Sequence, residues 1–116
     1  MFLIKSKPTG QFEKGKTMKV FISQPMRDKT DEEIKAEREK AIQTIKEKYP
    51  DANIDVLDSF FEKAPHDAKP LWFLGKSFEI LSSADLAYFC RGWNNYRGCN
   101  MEHMACRAYG IERMYE

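Results

Sequence analysis

Several features that mark common protein classes are missing from this sequence of 116 residues. It has no GxGxxG motif, so a dinucleotide cofactor held on a glycine-rich turn is disfavoured. We likewise expect no ATPase phosphate-binding loop, and we predict no cofactor. No apolar run approaches the roughly 20 residues of a membrane-spanning helix. The opening MFLI is too short for the apolar core of a signal peptide.

The sequence is also poor in cysteine and in net charge. Its three cysteines are an odd number and do not make a disulfide framework, which favours a reduced, cytoplasmic protein. A net charge of +1 gives no strong field, so we expect neither nucleic acid nor membrane as a partner. The charge is uneven, because residues 1–17 carry +3 and residues 18–116 carry −2. We interpret 1–17 as a basic appendage with a short strand at Phe2–Lys5 that can serve as an oligomer arm, and 18–116 as one domain.

What the sequence does contain is a regular alternation of strand and helix patterns. Thr30 and Glu33 form a capping box, Pro70 suits the first turn of a second helix, and Gly110 suits the end of a third. In chain order the predicted elements are a strand at 18–23, a helix at 30–48, a strand at 53–59, a helix at 70–82, a strand at 84–90, a helix within 96–110 and a strand at 111–116. The apolar stripe predicted for the second helix is Leu71, Leu74, Phe78 and Leu81.

This alternation is typical of an α/β fold with a parallel sheet. We predict a three-layer, flavodoxin-like or Rossmann-like architecture with about four to five strands and helices on both faces. Ligands of such sheets bind beyond the carboxyl ends of the strands. Three loops follow those ends and should converge on one site: Ser23–Lys29, Asp58–His66 and Arg91–Gly98.

The loops supply candidate ligand-binding side chains. Aromatic rings among them can stack on a nucleobase, and cations can meet a phosphate; covering the core and surface solvation are the alternatives. The residues expected to contact a ligand are Ser23, Gln24, Pro25, Met26, Asp58, Ser59, Phe60, His66, Gly92, Trp93, Tyr96 and Gly98. The candidate cations are Arg27, Lys29, Arg91 and Arg97.

Glu102 is the leading catalytic candidate. It lies in YRGCNMEHMACRAYG, residues 96–110, which predicts a short loop that runs into a helix. We place Glu102 in the first turn, where the helix macrodipole favours an anion by roughly 0.3–1 kcal/mol. An anionic carboxylate suits a nucleophile and can hold a covalent glycosyl intermediate. The alternative is a solvated acid that only favours the helix.

Two further groups carry weaker predictions. Asp85, at the start of the third strand, is a second catalytic candidate, although a strand start lies at the opposite edge and a capping role is the alternative. Cys99, His103 and Cys106 share one helix face. No second cluster of Cys or His completes a ligand set, so we predict no metal site.

From Met18 onward the chain resembles a small phage and bacterial family of unknown function, the DUF4406 type. The segments that carry the resemblance are MKVFISQPM, DSFF, HDAKPLW, LGKS, ADLAYF and GWNNYRGCNMEHMACRAYG. They cover nearly all of residues 18–116. That family is similar in turn to the nucleoside 2-deoxyribosyltransferases, by the order of its fold and by the last segment.

The resemblance implies roles for particular residues. Glu102 resembles the transferase nucleophile, which would attack C1′ of a deoxyribosyl or ribosyl group so that the base leaves and water or a second base accepts the sugar. Gly98 and Asp85 resemble the glycine before that nucleophile and the aspartate before the third strand, and Ala105 and Ala108 resemble its small packing residues. A homodimer or larger homo-oligomer is also implied, in the host cytoplasm if the chain is phage-encoded.

Three polar positions of the transferases are occupied here by Tyr96, Phe21 and Ser77. Hydrolysis, a different nucleotide and binding without turnover therefore stay open. The first hypothesis is a nucleoside or nucleotide N-glycosidic-bond hydrolase or transferase. The second is a non-catalytic nucleotide-binding module of the same fold, and the third is an interaction protein whose surface matters more than any pocket.

Overall fold

The structure is a computed structural model that describes residues 14–59, 61 and 63–116. The elements within these residues are β1 (Thr17–Ser23), α1 (Asp31–Lys48), β2 (Asn53–Val56), α2 (Pro70–Leu81), β3 (Leu86–Phe89), a 3₁₀ turn (Trp93–Asn95), α3 (Arg97–Tyr109) and β4 (Glu112–Tyr115). The strand predicted at Phe2–Lys5 lies outside the described residues, as does most of the basic appendage.

Helix α1 begins and ends where its sequence predicts. The Oγ1 of Thr30 accepts a hydrogen bond from the Glu33 amide at 3.1 Å, and Glu33 Oε1 accepts one from the Thr30 amide at 3.0 Å. This capping box satisfies two backbone donors at the helix start. The helix ends at Lys48, two residues before Pro50. Its buried residues are Ile34, Ala41 and Ile45.

The four strands form one parallel sheet in the order β2-β1-β3-β4. Alternate residues of the central strands enter two separate cores. On one face, the core contains Val20, Ile22, Leu86 and Tyr88 with Ala41 and Ile45 of α1. On the other face, it contains Phe21, Ala87 and Phe89 with Leu81 of α2 and Cys106 of α3. The predicted three-layer α/β fold is confirmed, with four strands in the described part of the chain.

The buried side of α2 differs from the predicted stripe. Leu71 is 77% exposed and Phe78 is also exposed, whereas Ser77 and Leu81 are buried. The prediction is wrong for Leu71 and Phe78, because apolar spacing does not reveal that part of this helix borders an opening instead of a closed core.

Strand β2 is shorter than predicted, and the chain after it is held by α1. The Arg38 guanidinium donates to the Leu57 carbonyl at 2.7 Å and to Ser59 Oγ at 3.1 Å. Ser59 Oγ in turn donates to the carbonyl of Ile22 at 3.1 Å. The Leu57 amide still donates to the Val20 carbonyl of β1 at 2.9 Å. Beyond it, the bonds of Ser59 hold the chain and bring Ser59 beside the carboxyl end of β1.

The expectation that the sequence has no P-loop overlooked a match to the P-loop pattern. Residues 10–17 read GQFEKGKT, which matches the letters of the P-loop pattern GxxxxGK[ST]. A P-loop leads from a strand into a helix, whose first amides hold the phosphates. Here Thr17 is instead the first residue of strand β1. The described residues that follow the match therefore lack the structural context of a P-loop.

None of the helices in the described ranges is both long enough and apolar enough to cross a bilayer.

Candidate functional site

A cavity of about 920 Å³ opens at the carboxyl end of β1. The chain passes from β1 to β2 on one side and returns to β3 on the other, so the connections diverge at this edge, the usual ligand position of an open α/β sheet. The described lining comes from the end of β1, the loops after β1 and β2, α2 and the start of α3. It consists of Phe21, Ile22, Gln24, Pro25, Met26, Arg27, Ser59, Phe61, Lys69, Pro70, Leu71, Phe73, Leu74, Ser77, Tyr96, Arg97, Gly98, Cys99, Met101 and Glu102.

About half of the predicted site residues meet at this cavity. Those in the lining are Gln24, Pro25, Met26, Ser59, Tyr96, Gly98 and Glu102. Ser23 is 1% exposed and does not line the cavity itself. It contacts the lining through the hydrogen bond from its hydroxyl to Glu102. The structure does not bring Asp58, His66, Gly92, Trp93 or Asp85 into the lining. Phe60 is not among the described residues.

Glu102 lies in the second turn of α3, not in the first turn as predicted, because the helix already begins at Arg97. Glu102 as a whole residue is 8% exposed. Ser23, the last residue of β1, donates its hydroxyl to Glu102 Oε1 at 2.6 Å. Ser77 of α2 also lies close enough to the carboxyl group to lower its pKa. Three elements therefore meet at one buried acid.

The electrostatics of Glu102 are opposite to the predicted direction. Burial raises the pKa of the Glu102 carboxyl group above its usual 4.5, and the hydrogen bonds from Ser23 and Ser77 lower it only in part. The macrodipole acts mainly within the first turn, so desolvation dominates in the second. The prediction that the helix start favours the anion is therefore corrected. It is the two serine hydroxyls that stabilise the charged form.

Cys99 extends the hydrogen-bonded group around Glu102. Its thiol lines the cavity and hydrogen-bonds to Ser23. Burial raises the pKa of the Cys99 thiol to about 11, so the thiol is protonated at neutral pH and unsuited to nucleophilic attack. Cys90 and Cys106 are buried in the two cores. Within the described residues, no group of three His, Cys, Asp or Glu side chains could hold a metal ion.

Asp85 lies at the opposite edge of the sheet. It immediately precedes β3, and its Oδ2 accepts a hydrogen bond from the Lys19 amide at 2.9 Å. This contact joins the start of β3 to β1. The expected alternative was a cap of the preceding helix, whereas this contact links two strands. Asp85 does not line the cavity.

Trp93 belongs to an aromatic cluster beside β4 rather than to the cavity. Its ring stacks on His103 with 4.2 Å between centroids. His103 Nε2 lies 2.7 Å from the Tyr115 hydroxyl, and Phe89 contacts all three rings. Gly92 supplies the left-handed turn before Trp93 with φ 85°. Burial is the largest cause of a lowered His103 pKa, followed by Arg113 and Arg107.

Two of the four predicted phosphate-binding cations line the cavity, Arg27 and Arg97. Lys29 is instead paired with Glu37 at 2.7 Å, and Arg91 lies 4.0 Å from a Glu116 carboxylate oxygen. The sequence analysis missed Lys69 as a cation of the site and Ser77 as a partner of Glu102. It also missed the apolar wall formed by Leu71, Phe73, Leu74 and Met101. Ser77 had one available signal, a lone small polar residue between apolar positions of α2.

A second cavity, of about 410 Å³, lies at the other end of the sheet, between the end of α1 and the start of β2. Its described lining contains no His, Cys, Asp or Glu. Lys46 and Tyr49 are the candidates for acid–base or nucleophilic chemistry in this described lining, and no carboxyl, imidazole or thiol group lies beside them there.

Fold and site together define a flavodoxin-like or Rossmann-like α/β protein with one buried carboxyl group at the ligand edge of its sheet. No family model, curated protein or solved structure matches the chain.

Proposed function

We propose that the protein is a nucleoside or nucleotide N-glycosidic-bond hydrolase or transferase, with Glu102 as its nucleophile. The observation that carries the proposal is the position of Glu102, the only carboxyl group in the described cavity lining. It is buried, and the hydroxyls of Ser23 and Ser77 hold it. The resemblance to the deoxyribosyltransferases supports the same assignment.

The proposed reaction needs one carboxylate and no cofactor. The Glu102 carboxylate attacks C1′ of the sugar, the C1′–N bond breaks, and the base leaves with the bonding electrons and takes up a proton. Water or a second base then attacks C1′ and releases the glutamate. The serine hydrogen bonds restrict the rotation of the carboxylate, which reduces the entropy lost on reaching the reactive geometry.

The walls of the cavity suit a base and a sugar. Phe61, Phe73 and Tyr96 offer aromatic surfaces, and base–aromatic stacking contributes about 1–3 kcal/mol per base. The volume of about 920 Å³ lies within the range of small-molecule sites. The open cavity argues against the interaction-protein hypothesis, which a crevice filled by side chains would have favoured.

Base release by chromatography tests the proposal. Wild type, Glu102→Ala and Glu102→Gln are incubated with a panel of nucleosides and their 5′-monophosphates. We expect release by wild type and a loss of roughly 10³-fold or more in both variants, because removal of a nucleophile has effects of this size or larger. Glu79→Gln is the matched control, since Glu79 is an exposed acid on α2, 3.5 Å from Lys76. Base release that persists in both Glu102 variants would overturn the assignment.

The non-catalytic nucleotide-binding module is the second candidate, and one observation favours it. Glycosidases generally use a second carboxyl group as proton donor, and the described lining contains no acid besides Glu102. A Glu102 with a raised pKa can instead donate a hydrogen bond to a ligand. Tight ligand binding without base release by wild type would support this candidate and reject the enzyme.

We further propose that a second copy of the chain covers the open side of the cavity. Among the described residues, the exposed large hydrophobic ones lie on α2, α3 and β4: Leu71, Phe73, Phe78, Met101, Met104, Tyr109 and Tyr115. Three of them, Leu71, Phe73 and Met101, also line the cavity. An apolar surface of this kind is characteristic of a subunit interface.

Sedimentation of the full chain tests this association. We expect a dimer or larger species, and Met104→Lys should shift it toward monomer because it places a charge in the apolar surface. Gln43→Lys adds the same charge on the exposed side of α1 and should have no effect. A wild type that sediments as a monomer at every concentration would reject the proposal.

A further inference from the structure

The lining of the main cavity contains a cluster of cations that the proposed reaction does not use. Arg27, Lys69 and Arg97 reach it from the loop after β1 and from the starts of α2 and α3. All three are exposed, and none forms an ion pair with an acid of the described residues. With Glu102 as the only acid among the described lining residues, that part of the lining is net positive, although residues 18–116 as a whole carry −2.

We infer that these cations form an anion subsite that holds the phosphate monoester of a sugar phosphate, so that the substrates are nucleoside 5′-monophosphates in preference to nucleosides. This inference rests on the proposed function, because it takes C1′ of the sugar to lie at Glu102. The 5′-phosphate is attached on the far side of the sugar ring from C1′. A sugar whose C1′ is at the buried carboxylate therefore directs its phosphate toward the exposed cations.

The three helix starts differ in a way that agrees with the subsite. The start of α1 has a capping box, which satisfies backbone amides of its first turn. Three acids, Asp31, Glu32 and Glu33, offset the positive end of its macrodipole. The starts of α2 and α3 have no side-chain cap and no acid in the first turn. Each has a cation there instead, Lys69 before α2 and Arg97 at the first residue of α3. These first-turn amides and cations together suit a dianion.

Gly98 leaves room beside the first turn of α3. A Cβ at this position would meet no protein atom within 4 Å. Space for a side chain is therefore available, yet the position is a glycine in the cavity lining. Glycine lowers helix stability relative to alanine, so its presence here fits the close approach of a ligand to the backbone.

Gln24 is an independent sign that a polar ligand completes the cavity. The residue is 6% exposed and lines the cavity. Its Nε2 donates to the carbonyl of Ile34 at 2.9 Å, whereas its buried Oε1 has no hydrogen-bond partner. Rotating the amide would place two oxygens against each other, so this orientation is fixed. An unpaired buried acceptor costs about 1–3 kcal/mol, and a ligand hydroxyl can satisfy it.

Calorimetric titration of the full chain with ligands tests the subsite. Every protein used carries Glu102→Gln, so that binding is measured without turnover. The probes are thymidine, thymidine 5′-monophosphate, three further nucleoside and 5′-monophosphate pairs, ribose 5-phosphate and inorganic phosphate. We expect at least one monophosphate to bind roughly tenfold or more tightly than its nucleoside, as hydrogen bonds to charged groups allow. The ratio should fall as the KCl concentration rises.

Arg97→Gln should reduce this ratio about tenfold. Arg107→Gln is the matched control, because Arg107 is an exposed arginine in the last turn of the same helix, and it should leave the ratio unchanged. Gly98→Ala should also reduce the ratio while the thermal midpoint stays the same or rises, which separates lost binding from lost folding.

The possible outcomes distinguish this inference from the proposed function. Equal binding of nucleosides and their monophosphates, or equal loss in Arg97→Gln and Arg107→Gln, would overturn the subsite even if wild type releases base. A phosphate preference that depends on Arg97 supports the subsite even if no base is released, in which case only the enzyme proposal fails. If ribose 5-phosphate binds as tightly as any nucleotide, the phosphate subsite stands and the preference for a nucleotide is rejected.

Discussion

The two faces of the sheet have the same parallel strands between them but differ in how completely they are covered. On the α1 face, a continuous core includes Ile45, Leu86 and Tyr88, and no exposed large hydrophobic residue lies on α1. On the other face, α2 and α3 enclose a smaller core around Phe21 and Phe89 and leave a cavity toward the carboxyl ends of the strands. The α1 face has a smaller cavity at the start of β2, whereas the other face combines a core with the larger opening that contains Glu102.

The difference shows how the fold separates stability from chemistry. Residues of the α1 face bury apolar area, the main favourable term in folding. Residues at the opening bury the Glu102 carboxyl group, which lowers stability. They also include exposed cations that form no ion pair with an acid of the described residues, and we propose that these groups bind a ligand. Substitutions on the two faces should therefore have different consequences.

The largest expected effect on stability is that of Ile45→Ala. Ile45 is 0% exposed in the α1 core, and removing its side chain leaves a cavity that costs about 2–5 kcal/mol of unfolding free energy. Leu71→Ala is the matched deletion on the other face. Leu71 is 77% exposed in a single chain. Made in the Met104→Lys background, which should be monomeric, Leu71→Ala should change the unfolding free energy by no more than about 0.5 kcal/mol.

Urea unfolding of both variants measures the comparison. Calorimetric titration under folding conditions should show wild-type nucleotide affinity for Ile45→Ala, since α1 forms the opposite layer. Equal destabilisation by the two substitutions would show that the faces are equally packed and would contradict the comparison.

A smaller, pH-dependent effect is expected from Ser23→Ala. The pKa of folded Glu102 is raised above 4.5, so protonation favours the folded state. This stabilising contribution is complete below about pH 4.5 and is lost as the pH rises through the folded pKa. Ser23→Ala removes a hydrogen-bond donor to the Glu102 carboxylate and raises the pKa of Glu102 further. At pH values above the folded pKa, the variant should therefore lose about 1–3 kcal/mol more unfolding free energy than wild type. Urea unfolding at a series of pH values measures the effect.

Two companion variants sharpen this prediction. Ser77→Ala should act in the same direction, because Ser77 is the other hydroxyl that lowers the Glu102 pKa. Ser83→Ala removes an exposed serine that donates to the Ile80 carbonyl and should show no such pH dependence. In a Glu102→Gln background the pH dependence of the Ser23→Ala effect should disappear. If it does not, Glu102 is not the titrating group.

Much of the fold was predictable from local patterns. All four described strands and all three helices were identified, with errors of a few residues at their ends. The signals were the alternation of apolar runs, the capping box at Thr30 and the glycine after α3. Those errors have physical causes. The chain beyond Val56 is held by Arg38 of α1, and α3 begins at Arg97 without a side-chain cap. Neither feature has a signal in neighbouring residues.

The candidate site was predictable in position but not in its interactions. Loop placement located Gln24, Met26, Ser59 and Tyr96 at the cavity. It also included His66 and Trp93, which follow the same rule but do not line the cavity. Loop residues leave a strand end in directions that their own sequence does not specify, so proximity along the chain predicts the edge of the sheet and not the contact.

The sequence by itself determined the periodicity of the elements, the edge where a ligand should bind and the choice of Glu102 as the leading candidate. These depend on residues a few positions apart. Only the tertiary structure decided the environment of that carboxyl group. Its partner Ser23 is 79 residues away, and packing of α2 and α3 on the sheet sets the burial that raises its pKa. Desolvation and hydrogen bonding depend on what lies nearby in space, which no local pattern records.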